Sequence, residues 1–144
     1  MKVSTKGRYA LRMLLDLAEH KGGGYISLKE IAQRQEISKQ YLEQIVSLLN
    51  TSNLLRTNRG KQGGYMLARE PSEYKIIEIL RITEGSVAPV ACLDEEVNMC
   101  ERVDFCKTLP VWTGLNKVIV DYLGSVTLQD LLEQSQESVD NYVI

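Results

Sequence analysis

The sequence predicts a mainly α-helical protein with one small β element, and three observations carry that prediction. Apolar residues recur at helical spacing through most of the chain, a Gly-rich stretch at 54–69 breaks that rhythm, and Gly or Pro clusters punctuate the rest. With 144 residues, 44% hydrophobic and 25% charged, the chain suits one ordinary globular domain or a small domain with an appendage.

The charge is unevenly spread. Residues 1–69 carry 12 Lys+Arg against 5 Asp+Glu, or +7, while residues 70–144 carry 5 against 14, or −9, which together give the net −2. A basic half joined to an acidic half is expected to face a polyanion. No apolar run approaches the length of a membrane span, and Arg12 and Asp16 interrupt the only N-terminal candidate for a signal segment, at 9–18. A cytoplasmic protein is therefore expected, in which clustered thiols point to metal or redox chemistry before structural bridges.

The first helix is predicted from Ser4 or Thr5 to about His20, with Leu11, Leu14, Leu15 and Ala18 as its apolar stripe. "KGGG" at 21–24 ends it, and Tyr25 and Ile26 suit a very short strand. "SLKE" at 27–30 has the form of a capping box, Ser27 accepting from the Glu30 amide and Glu30 reaching back. Leu28, Ile31 and Ala32 give a short second helix its buried face, "QEI" makes a tight connection, and Ser38 is placed to cap a third helix. That helix buries Leu42, Ile45, Val46 and Leu49 and turns Gln40, Glu43, Gln44 and Ser47 outward. Two short helices, a tight turn and a polar outer face on the second are the sequence form of a helix-turn-helix. A helix of this kind fits the major groove, where Gln pairs with adenine, Glu accepts from cytosine and Tyr41 offers a ring and a hydroxyl.

"LLRTNRGKQGGYMLAR" at 54–69 then reads as strand, Gly-rich loop, strand, with Arg56, Arg59 and Lys61 near its tip. Such a hairpin can lay arginine into a minor groove, and together with the preceding helices it predicts a winged helix-turn-helix over 1–70. "GKQGG" is not a nucleotide-phosphate loop, since it lacks the GK[ST] ending and no helix follows at once.

A fourth helix is predicted at 75–84, with Ile76, Ile79 and Leu80 inward and Gly85 as its stop, so that 71–84 connects the wing to the rest. The segment 85–109 holds all three cysteines, in "ACLDEEVNMCERVDFCKTL". From Pro110 a long apolar helix follows, with Val111, Leu115, Val118, Ile119 and Tyr122 in one stripe and Trp112 beside it. Gly124 is expected to close it, and Thr127 to cap a short last helix, "TLQDLLEQ", within 110–136; 137–144 reads as a flexible tail. Three thiols with the spacing C-x7-C-x5-C can converge on one centre, and soft thiolate sets favour Zn or Fe–S, with redox-active or incidental thiols as the alternatives. One histidine and no nucleophile–base arrangement argue against an enzyme.

"STKGRYALRML", "SKQYLEQIV" and "RGKQGGYMLA" resemble the IscR/CymR-type, or Rrf-two, family of winged helix-turn-helix repressors, over nearly the whole chain. The resemblance implies a homodimer, joined through the long helix, on a pseudo-palindromic double-stranded operator. It makes Ser38, Lys39, Gln40, Tyr41, Glu43 and Gln44 the DNA readers of the third helix, and Arg59 and Lys61 those of the wing. The cysteine spacing resembles the loop of the cluster-binding members, which implies an iron–sulfur cluster, 2Fe–2S or 4Fe–4S, on Cys92, Cys100 and Cys106. The fourth ligand departs from the family pattern. Leu109 stands where the family places a ligating histidine and Arg8 where nitric-oxide-sensing members place an aspartate, which leaves Asp94, Glu95, Glu96, Glu101, Asp104, a small exogenous ligand or an open iron. The chain also resembles the cysteine-metabolism branch, controlled through cysteine synthase. Its end "NYVI", with Ile144 last, reads first as a frayed terminus and also resembles a synthase-binding tail, and a thiol redox switch is a third alternative.

Overall fold

The computed structural model describes residues 2–142, and their side chains as far as 138. Helix α1 (Thr5–Glu19) starts where the Ser4 hydroxyl accepts from the Gly7 amide at 3.2 Å. Its inner face is Ala10, Met13, Leu14, Leu17 and Ala18, while Leu11 and Leu15 are only half-buried. Of the expected stripe Leu14 and Ala18 are thus buried, while Leu11 and Leu15 lie at its margin. The buried face also takes in Ala10 and Met13, because α1 is packed from several sides by the elements that follow.

Helix α2 (Leu28–Gln35) is capped by Ser27, which accepts from the Glu30 amide at 3.2 Å. The expected return bond from Glu30 does not form; its carboxylate turns along the helix to Arg34, 3.7 Å away. Glu36 takes the left-handed conformation (φ 55°), Ile37 is buried, and Ser38 caps α3 (Lys39–Thr51) by accepting from the Tyr41 amide at 3.1 Å. The hairpin pairs β1 (Leu55–Asn58) with β2 (Gly64–Leu67) in antiparallel register, Leu55 opposite Leu67 and Asn58 opposite Gly64. Ile26 exchanges two backbone hydrogen bonds with Tyr65, at 2.9 and 2.8 Å, tying the α1–α2 connection to the wing. A Cβ on Gly64 would stand 2.3 Å from the Ile26 carbonyl oxygen, so this close approach requires glycine.

After the wing the chain makes a 3₁₀ turn at Pro71–Glu73 and buries Tyr74 completely. The Tyr74 hydroxyl donates to the Leu54 carbonyl at 2.5 Å and accepts from the amides of Ala68 (3.0 Å) and Arg69 (3.3 Å). One phenol thereby holds both feet of the wing to the base of α4 (Ile76–Glu84). Gly85 ends α4 with φ 82°, the cysteine segment follows, and α5 (Leu109–Ser125) carries Pro110 in its first turn.

Helix α5 runs through Gly124 instead of stopping there. The last helix, α6 (Leu128–Tyr142), is twice the expected length, so 137–142 is helical where a flexible tail was expected. Thr127 caps it reciprocally with Asp130, at 3.2 and 2.9 Å. Backbone bonds from Ile76 to Val126 (2.9 Å) and from Leu128 to Tyr74 (3.0 Å) bring α6 back, and it packs on α1 with Leu128 fully buried. Val143 and Ile144, and with them the expectation for the C-terminal carboxylate, lie outside the described residues. Among the described residues no helix is long and apolar enough to cross a membrane.

Replacing Tyr74 by Phe removes all three bonds of the hydroxyl; the Ala68 amide and the Leu54 carbonyl keep their own bond at 3.2 Å, while the Arg69 amide loses its partner. The variant is expected to lose about 1–3 kcal/mol of stability, measured as a lower urea midpoint at unchanged m-value.

Candidate nucleic-acid interface and cysteine loop

The cations of the basic half fall into two groups. Lys21, Arg34 and Arg69 are paired with Glu70, Asp16 and Glu78 respectively. Lys2, Lys6, Arg8, Arg12, Lys29, Lys39, Arg56, Arg59 and Lys61 make no ion pair among the described residues. Of these, Lys6 and Arg8 lie in the first turn of α1, Lys39 in that of α3, and Arg56, Arg59 and Lys61 in the wing. Lys6, Gln40, Glu43, Gln44, Ser47 and Leu48 line one open cleft, so the first turn of α1 and the outer face of α3 form a continuous surface. Ser38, Lys39, Gln40, Glu43 and Gln44 are exposed, as are Arg59 and Lys61 at the wing tip, where Gly60 has φ 133°.

Tyr41 differs from the other expected readers. Its ring is half-buried and meets Tyr9 of α1 edge-on, with centroids 5.5 Å apart. The Tyr9 ring in turn carries the Arg12 guanidinium at 5.1 Å. Tyr41 therefore also joins the recognition helix to α1.

Asp16 is 1% exposed, the one buried charged side chain among the described residues. Its Oδ1 accepts from Arg34 Nη2 at 2.7 Å, and its Oδ2 from Arg34 Nε at 3.0 Å and Gln35 Nε2 at 2.8 Å. His20, at the C-cap of α1, lies 2.8 Å from the Asp16 carbonyl through Nδ1. Burial pushes the Asp16 carboxyl upward, but the hydrogen bonds of Arg34 and Gln35 and the charges of Arg34 and His20 outweigh it and hold the carboxyl below its ordinary value.

The cysteine loop runs from Gly85 to the start of α5. Cys92 sits half-buried in a 3₁₀ turn, Ala91–Leu93, Cys100 is exposed and Cys106 half-buried, and all three thiols are free. The hydroxyl of Thr108, 3.5 Å away, lowers the Cys106 thiol below its usual range. The structure does not bring the three thiols together: among the described residues no three His, Cys, Asp or Glu side chains form a metal-ligating group. The donors nevertheless suit a soft metal centre by type, being three free thiols of which one is acidified. The loop's hydrogen bonds among the described residues are local, such as Leu93 to Val90, Val103 to Cys100 and Ser86 to Asp94. Closing the loop around a metal would therefore break no bond to the core. Asp94 is engaged by Ser86 at 2.7 Å, Glu95, Glu96, Glu101 and Asp104 are exposed, and His20 stands at the far end of α1.

Val111, Leu115, Val118 and Tyr122 of α5 are 61%, 43%, 64% and 65% exposed, an uncovered apolar stripe at i, i+4, i+7 and i+11.

A helix-turn-helix with an outward polar face, a two-stranded wing and unpaired cations on both define a winged helix-turn-helix transcriptional regulator that binds DNA. The chain belongs to the Rrf2 family, described as an iron-dependent transcriptional regulator, which matches residues 3–134. It is 36% identical to the transcriptional regulator CymR of Bacillus subtilis over 143 residues, covering 99% of this chain and 98% of that one. It is also 36% identical to the regulator IscR of Xenorhabdus nematophila over 140 residues, covering 97% of this chain and 84% of that one. Among solved structures it is similar to the global cysteine regulator CymR of B. subtilis, with TM-score 0.76, 37% identity, and 93% and 98% of the two chains covered. It is equally similar to T. potens IscR, with TM-score 0.75, 40% identity, and 96% and 90% covered. These relatives are named as regulators, in keeping with a chain that is not an enzyme.

Sequence reasoning missed Asp16, which it met only as an interruption of an apolar run; a lone carboxylate at an inward helical position was the available signal. It also missed Glu84, whose Oε1 accepts from the Ser4 amide at 3.1 Å and hydroxyl at 2.7 Å, and for which no local pattern exists.

Because the Asp16 carboxyl is lowered in the folded state, its stabilisation is present above about pH 4 and is lost as pH falls through the folded value. Asp16→Asn is expected to be less stable than wild type at pH 7, with the difference shrinking as pH is lowered below about 4, measured by urea unfolding across pH.

Proposed function

We propose that the chain is a homodimeric repressor whose affinity for a two-fold operator is set by an iron–sulfur cluster on Cys92, Cys100 and Cys106. The observation that carries this reading is the position of three free thiols on one locally bonded loop between α4 and α5. The similarity to IscR proteins supports it. Bound there, a cluster would supply a redox- and iron-sensitive crosslink among three points of the loop.

The chain's own residues supply the route from loop to DNA. Glu84, one residue before the loop, accepts both hydrogen bonds from Ser4 at the start of α1, and a Cβ on Gly7 would stand 2.3 Å from its carboxylate. The same first turn of α1 contributes Lys6 to the cleft beside Gln40 and Gln44. A change in the loop therefore acts beside the reading surface, and it alters operator affinity only by favouring one arrangement over another. Ser38, Lys39, Gln40, Glu43 and Gln44 are the reading and backbone contacts of α3, Tyr41 contributes from its packed position, and Arg59 and Lys61 serve the wing. The exposed stripe of α5 fits burial against a second copy, which the two-fold of a palindromic site requires.

A second reading rests on the similarity to CymR across 99% of the chain. In it the regulator governs cysteine and sulfur metabolism under a partner such as cysteine synthase, engaged by the C-terminal tail. The acidified Cys106 and the similarity to the oxidised form of Staphylococcus aureus CymR support a thiol switch on the same loop.

Anaerobic reconstitution with iron and sulfide separates these readings. The cluster reading expects a coloured wild-type protein whose visible absorption is lost in Cys92→Ala; a colourless wild type would favour the partner or thiol reading. Val118→Asp, which places a charge in the α5 stripe, is expected to sediment as a monomer and to lose at least about tenfold in affinity for a palindromic duplex.

A further inference from the structure

The Asp16 network joins three helices in one unbroken series of directed contacts. Asp16 on α1 holds Arg34 and Gln35, the last two residues of α2. Arg12, one turn earlier on α1, donates from Nε to Gln35 Oε1 at 3.2 Å and from Nη2 to the Gln35 carbonyl. Arg12 also lies over Tyr9, and Tyr9 meets Tyr41 in the first turn of α3. Between the two anchored turns lie only Glu36, Ile37 and Ser38, with Glu36 left-handed, Ile37 buried and Ser38 committed to the cap. Both ends of the helix-turn-helix turn are thus tied to α1.

A buried carboxylate is a poor choice if stability alone is served, since a well-packed apolar pair in the same volume is often as stable or more so. What the ion pair supplies is direction. An apolar contact tolerates rotation and sliding, whereas a two-pronged guanidinium–carboxylate pair fixes distance and plane together. The element so fixed carries Gln40, Glu43 and Gln44, whose discrimination between bases depends on hydrogen-bond geometry. Phosphate contacts from unpaired lysines and arginines need no such precision and carry no sequence information.

We infer that Asp16, acting through Arg34 and Gln35, is a specificity-determining positioning residue that sets the pose of the recognition helix and so governs discrimination between duplexes more than affinity for DNA as such. The inference rests on α3 being the reading helix.

The test uses the full chain, a duplex selected from a random pool by the wild-type protein, and a shuffled duplex of the same composition. Affinities for both are read by fluorescence anisotropy over a range of salt, with folding checked by circular dichroism. Asp16→Asn removes the charge; Arg34→Lys and Arg12→Lys keep the net charge and remove only the fork, so they remain informative if the first variant does not fold. Each folded variant is expected to weaken the selected complex about tenfold or more, to change the shuffled complex less than about twofold, and to leave the salt slope unaltered. Equal weakening of both complexes, as purely structural support would give, or no weakening of either, overturns the inference. Gln44→Ala checks the premise separately: an unchanged ratio there faults α3 as the reader, while Arg34→Lys still decides what the network does.

Discussion

The inner face of α1 is the constraint on which the other elements depend. Helices α2, α3, α4 and α6 and strand β2 all pack on it, through Ala10, Met13, Leu14, Leu17 and Ala18, while α5 reaches the same body through α4. A single helix can receive so many neighbours only where its own side chains are small or flexible, and Gly7, Ala10 and Met13 meet that need along its length. The burial is nearly all apolar. Asp16 is the exception, and its three hydrogen bonds leave none of its acceptors wasted on apolar surroundings.

Because α1 is shared, the reading surface and the cysteine loop are not mechanically independent. The C-terminus of α4 touches the N-terminus of α1 through Glu84 and Ser4, and the loop departs from that point. The first turn of α1 also borders the cleft along α3. The start of the loop and the cleft along α3 thus both adjoin the first turn of α1, without a long chain of intermediaries between them. The loop itself is held by short-range bonds, the condition in which a ligand or a modification can change its order at small cost to the core.

Much of this was legible in the sequence where the determinants are local. The start of α1 near Ser4, the caps at Ser27, Ser38 and Thr127, the inner stripe Leu42–Ile45–Val46–Leu49 and the Gly-rich wing all depend on neighbours within a few residues, and the structure forms them. What failed depended on partners distant in sequence. The face of α1 was only half right: Leu14 and Ala18 are buried as expected, but Ala10, Met13 and Leu17 replace Leu11 and Leu15 because helices arriving from elsewhere set its phase. Helix α5 ends at Ser125, one residue beyond the expected stop at Gly124. Glu30 prefers Arg34 to its own cap. Among the site residues, the exposed face of α3 and the wing tip are separated from the core as expected, the packing of Tyr41 on Tyr9 had no local signal, and the three cysteines stand apart where spacing alone suggested convergence.

In the proposed complex the unpaired cations of α1, α3 and the wing engage duplex phosphates while α3 reads bases. The most direct measurement is the affinity of the reduced protein for a selected duplex as a function of salt concentration. A linear fall of log affinity with log salt is expected, with a slope of several units set by the number of phosphates neutralised. Affinity that does not change with salt, or no binding even at the lowest ionic strength, would contradict it.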